Sequence, residues 1–129
     1  MIKVNDKEIE VIETEVTWGN YMAQEDGKKR EGLAPYITFS GETCQVGLEL
    51  SYDYEWLKEL PINMKQDITK YVTDFNYESE DEEWVTLMCD NYNCSIEKLA
   101  ENKVRVEAYV KDESEGYEIE VNETFEFEE

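Results

Sequence analysis

Along the chain, apolar and polar positions alternate at both ends and take a helical period in the middle. Ile2 to Val4 and Glu8 to Trp18 alternate with the period of half-buried strands, and Asn5-Asp6 between them is turn-forming. An opening hairpin is therefore expected. The alternation then slips, with Ile9 and Val11 on one face and Ile12, Val16 and Trp18 on the other. That slip predicts a bulge near Val11-Ile12 or an exposed apolar row. From Gly19 to Pro35 the pattern dissolves into Gly, Asn, Asp-Gly and Lys28-Lys29-Arg30, which reads as a long polar loop holding a quarter of the basic residues.

A second hairpin is predicted from Tyr36 to Phe39, a Ser40-Gly41-Glu42 turn, and Cys44, Val46, Leu48, Leu50 and Tyr52 recurring at period two. The even-numbered face of that last run belongs in a core. Asp53 can cap a short helix carrying Trp56, Leu57 and Leu60, which Pro61 stops or kinks. Met64, Ile68, Tyr71, Val72 and Phe75 then make one stripe of an amphipathic helix, expected to pack on the sheet. Asn76 to Glu83 is acidic and aperiodic, hence a linker. Four strand-like runs follow, at Trp84 to Cys89, Cys94 to Leu99, Lys103 to Val110 and Tyr117 to Phe127, with short turn-rich separators. Short connections favour an antiparallel meander. Val104, Val106, Ile119, Val121, Phe125 and Phe127 are its expected buried face. The predicted fold is α+β: a mostly antiparallel sheet, built from N-terminal hairpins and a C-terminal four-stranded meander, with one or two central helices packed on it.

Composition narrows the function. At 129 residues with 40% hydrophobic positions, the chain suits one globular domain spanning residues 1–129, too apolar to be a disordered tail. It carries 33 Asp and Glu against 12 Lys and Arg, a net charge of −21, which disfavours direct binding to nucleic-acid phosphates. It has no His, which removes the commonest general base and metal ligand. Three cysteines, Cys44, Cys89 and Cys94, fit free thiols in a reducing cytoplasm better than a disulfide framework, although Cys89 and Cys94 could face each other across a hairpin. Met1 to Glu8 carry no apolar signal segment and acidic residues recur too often for a run of eighteen apolar residues, so a cytoplasmic protein is expected.

The tests for chemistry fail one by one. The run from Asp74 begins like a calcium loop but has Ser79 where the sharp turn wants Gly and Val85 where a bidentate Glu is needed. Three Cys without His leave a zinc site incomplete. No glycine-rich phosphate loop occurs, and the cysteines have no imidazole to activate them. No catalytic residue, no metal and no cofactor is therefore assigned, and a non-enzymatic role is expected.

The distribution of charge is more informative. From Asp112 to Glu129 there are nine acids and no base, and Glu118, Glu120, Glu126 and Glu128 share one face of a strand whose other face is apolar. Alternate residues on one strand lie roughly 6.6 Å apart, too sparse alone to imitate a duplex with a charge about every 1.7 Å of axis. Nucleic-acid mimicry would need the loops at Glu78–Glu83 and Asp112–Glu115 to converge. The expected function is a small acidic binding protein, an inhibitor or nucleic-acid mimic, presenting carboxylates to a basic protein partner. Its expected contact residues are Glu78, Glu80, Asp81, Glu82, Glu83, Asp112, Glu113, Glu115, Glu118 and Glu120, with Tyr77, Trp84 and Tyr117 as aromatic anchors. The alternative is a structural or assembly protein, a phage-particle component or homo-oligomer, whose edges pair with neighbours.

Overall fold

The computed structural model describes residues 1–25, 27–80, 85–86, 92–113 and 116–127. Two antiparallel sheets share one hydrophobic core. In chain order the strands are β1 (Ile2–Val4), β2 (Lys7–Ile9), β3 (Glu13–Glu25), β4 (Lys28–Ser40), β5 (Cys44–Leu50), β6 (Lys65–Asp67), β7 (Val72–Ser79), β8 (Val85–Thr86), β9 (Tyr92–Ala100), β10 (Lys103–Asp112) and β11 (Tyr117–Glu126). Sheet A has the order β2-β1-β11-β10-β9-β6, and sheet B the order β3-β4-β5-β7-β8. One short α-helix, α1 (Tyr54–Glu59), joins β5 to β6.

The opening hairpin forms as its turn chemistry dictates, with Asn5 and Asp6 both at positive φ (50° and 67°), the mirror-image turn that suits strand twist. The phase slip after Ile9 is neither a bulge nor a continued strand. There the chain leaves sheet A and enters sheet B, so the two apolar rows belong to different sheets. Ile12, at the crossing, is exposed.

The stretch expected as a loop, Gly19 to Pro35, is instead the distal half of a hairpin in which β3 and β4 pair without interruption over all thirteen residues of each. Gly27, at φ +75°, lies between the two strands. Pro35 is tolerated because β4 meets β5 only from Tyr36 onward, so the missing N–H falls where β4 has no second neighbour.

Among the described residues one α-helix stands where one or two were expected. Asp53 caps α1 by accepting the Glu55 N–H at 2.8 Å, Leu57 is its buried residue, and Leu60, before Pro61, is already extended. The Met64–Phe75 stripe is not a helix. It divides into β6, a 3-10 turn at Thr69–Tyr71, and β7. Asp67 takes both the backbone N–H and the hydroxyl of Thr69, closing a local turn that competes with a helix, and the β-branched and aromatic residues beyond suit a strand. Asn76 to Ser79, expected as linker, completes β7.

The C-terminal meander has three strands, β9, β10 and β11, rather than four. Val85–Thr86 pairs with β7 in sheet B instead. Val104, Val106, Ile119, Val121, Phe125 and Phe127 are buried, together with Ile2 and Val4 from β1. Facing them are Ile37, Phe39, Val46, Leu48, Leu50 and Phe75 of sheet B. Lys98, buried on the inner face, donates to the Lys58 carbonyl at 2.8 Å and so caps the end of α1. Among the described residues no helix is long and apolar enough to cross a membrane.

Candidate protein-binding face

Because side chains alternate across a strand, each sheet turns one row inward and one outward. The outward rows differ in charge. On sheet A, Glu120 lies opposite Lys3, Glu118 opposite Lys111, and Glu126 opposite Lys103. Lys65 binds Glu107 at 2.8 Å and Arg105 meets Glu97 at 3.4 Å. The hydrogen bond to Glu107 holds the Lys65 ammonium above its ordinary range. Along β11 the acids Glu118, Glu120 and Glu126 each have a base opposite, so its carboxylate ladder is largely neutralised by β10 and β1.

Among the described residues sheet B has no such compensation. Across its outward face the register aligns Thr17, Tyr36, Glu49 and Asp74; then Glu15, Thr38, Gly47 and Asn76; then Glu13, Ser40, Gln45 and Glu78. Five carboxylates stand in these rows. Neither β3, β5 nor β7 contains a Lys or Arg, and β4 has them only at Lys28–Arg30, beyond the reach of β5. Glu49 and Asp74 are direct cross-strand partners, a like-charge pair that costs stability.

Three of these acids are held by neutral donors. Thr73 donates its hydroxyl to Glu49 Oε1 at 3.0 Å, Asn76 Nδ2 donates to Asp74 Oδ2 at 3.0 Å, and Gln45 Nε2 donates to Glu78 at 3.4 Å. Such bonds orient a carboxylate without neutralising it, and most of its acceptor capacity stays open. At the centre, Asn76 Nδ2 also donates to the Tyr36 hydroxyl at 2.8 Å. Asn76 is buried although it points outward, and its Oδ1 meets no donor among the described residues. Gly47 makes this arrangement fit: a Cβ there would stand 2.4 Å from Asn76 Oδ1 and 2.5 Å from the Tyr36 oxygen. Burial, and then the charges of Asp74, Glu49 and Glu78, push the Tyr36 phenol above its ordinary value against the opposing Asn76 bond. Beside Tyr36 the face is hollowed into a cavity of about 340 Å³, lined in part by Thr17, Gly19, Ala34, Glu49 and Thr73.

The residues expected from sequence divide between regions. Glu78 lies on the sheet B face, and Glu80 is exposed at the end of β7, tied to the turn before β5 by its N–H to the Thr43 carbonyl. Tyr77 and Tyr117 face inward, with ring centroids 5.3 Å apart, and both pack against the core. Their contact brings the ends of β7 and β10–β11 together, where a cleft of about 580 Å³ between the sheets is rimmed by Glu8, Glu10, Glu42 and Glu80. Glu118 and Glu120 lie on sheet A beside their bases, Glu113 is exposed 3.9 Å from Lys111, and Asp112 is buried at the end of β10. Asp81, Glu82, Glu83, Trp84 and Glu115 lie outside the described residues. Glu13, Glu15, Glu49, Asp74 and Tyr36 were not singled out from sequence. The odd-numbered positions of β5 carried a signal for them, because a strand with an apolar even face must turn Gln45, Gly47 and Glu49 outward.

Cysteine chemistry finds no support in the environment. Burial, then the nearby Asp67 charge, pushes the Cys94 thiol up to about 12, and burial raises Cys44 despite Lys7. Cys89 lies outside the described residues. Among those described, no group of three or more Cys, Asp and Glu side chains is placed to hold a metal ion. Compared with protein-family models, with curated proteins and with solved structures, the chain matches none.

Proposed function

We propose that the protein is a small non-enzymatic binding module that offers the outward face of sheet B to a basic protein partner. The observation that carries this reading is the asymmetry between the two faces: five carboxylates without a base on sheet B, against interleaved acids and bases on sheet A. Fixed on strands and held by Thr73, Asn76 and Gln45, the sheet B acids lose little freedom when a partner arrives. They are also spread over several strands about 4.8 Å apart, which supplies the two-dimensional charge density that one strand lacks. The hollow beside Tyr36 suits a Lys or Arg side chain, with Glu49 at its wall and a phenol ring for the cation to approach. Inhibition of a nucleic-acid-handling protein by occupying its basic groove is the finer form of this proposal, and a cytoplasmic setting accords with it.

The test is a pair of variants of equal charge. Glu49→Gln/Asp74→Asn/Glu78→Gln alters sheet B, and Glu97→Gln/Glu107→Gln/Glu118→Gln alters sheet A. Binding of an arginine-rich peptide, followed by calorimetry at low salt, should weaken about tenfold or more in the first variant and far less in the second. Equal weakening would reduce the acidic face to a general field effect.

A further inference from the structure

We infer that the protein pairs with a second copy of itself through the edge of β3, a strand that borders the basic-partner face, by an interaction that does not depend on that reading. Among the described residues β3 is an edge strand of sheet B, bonded along its thirteen residues to β4 alone. Edge strands of this length are usually blunted by a Lys, a Pro or a bulge. β3 has none of these, and its register with β4 does not shift. From Val16 to Gln24 it contains no charged residue, in a chain that is 35% charged.

Two further observations point to this chain as the occupant. The first is charge. Residues 16–40 hold three acids and three bases and are neutral, so the whole net charge of −21 lies elsewhere. Two strongly negative molecules can approach each other most cheaply along this strip. The second is apolar surface. Val16 and Trp18 pack on the core, but the same hairpin continues past it to Met22, 68% exposed, and Leu33, 43% exposed. A self-complementary contact would set Met22 of each copy beside the other copy's β3 and join the two B sheets into one.

Sedimentation equilibrium of the full chain tests the inference. The wild type should reach twice the chain mass as concentration rises, and amide exchange should slow along β3 in the concentrated sample. Met22→Glu and, separately, Thr17→Lys should return the mass to that of one chain, with near-ultraviolet circular dichroism unchanged to show that each remains folded. Both positions are exposed, so two independent changes guard against misfolding of one. A wild type of single mass at every concentration, or a dimer that survives both substitutions in folded protein, overturns the proposal.

Discussion

The outward faces of the two sheets start from similar material and end differently. Both are polar rows behind apolar ones, and both contain acids on neighbouring strands. On sheet A most acids meet a base on a neighbouring strand or nearby, and the pairs are exposed enough that each contributes little energy. On sheet B the acids meet Thr, Asn, Gln or another acid, and a buried amide and a phenol share the space above a glycine. A face selected only for solubility has no need of a like-charge pair or of Asn76 with an unmet oxygen, each of which costs stability. The contrast shows that net charge says little about where a protein is negative. Cross-strand register decides that.

The most severe way to disturb the contrast is at Gly47. Gly47→Ala forces a Cβ against the Tyr36–Asn76 pair and should cost about 1–3 kcal/mol in urea denaturation. Ser95→Ala, on sheet A, should stay within about 0.5 kcal/mol of wild type. A harmless Gly47→Ala would mean that the centre of the sheet B face is loose.

Single neutralisations should differ in sign. Glu49→Gln relieves the pair with Asp74 and should raise stability by about 0.2–1 kcal/mol. Glu97→Gln removes the partner of Arg105 and should lower it by about 0.2–1 kcal/mol. Denaturation midpoints measured side by side would show it, and a shared sign would erase the distinction between faces. Added sodium chloride should raise the wild-type melting midpoint by screening the 21 excess negative charges. The sheet B triple variant should lose more of that rise than the sheet A triple.

The smallest expected effect is a titration. Folded Tyr36 keeps its proton above the ordinary 10.0, whereas the unfolded chain releases it there. Its contribution to stability is therefore intact below pH 10 and fades as pH climbs through the raised value. Ultraviolet titration of the sheet B triple variant should move this phenol back only in part, because burial is the largest single cause and the variant leaves it in place. A complete return would make the charges dominant.

Much of the strand content was legible because period-two alternation reports a one-sided core directly. The even face of β5, the buried face of β10 and β11, and the Asn5-Asp6 turn all follow from it. What misled was local chemistry read without its neighbours. Gly19, Gly32 and Pro35 suggest a loop, yet β3 and β4 are long enough to satisfy each other's backbone groups throughout. Ile68, Tyr71 and Phe75 fall at a helical spacing, but Ile68 and Phe75 reach the core from a turn and a strand. The site was less legible than the fold. Counting acids along β11 found the densest segment, while the bases that neutralise it lie on β1 and β10, and no linear count sees across a ladder.

Pairing of β1 with β11 places Ile2 opposite Val121, so β1 finds its partner only after all the strands between them have been made. Closing so long a loop costs entropy before any contact repays it. Sheet B and the β9–β11 meander need shorter closures and can assemble first, leaving the opening hairpin to dock afterwards as a latch. Pulsed hydrogen exchange during refolding should accordingly protect β10 before β1. Until that latch closes, one flank of β11 has no backbone partner, and a nascent or partly unfolded molecule exposes there an acidic strand edge that the finished protein hides.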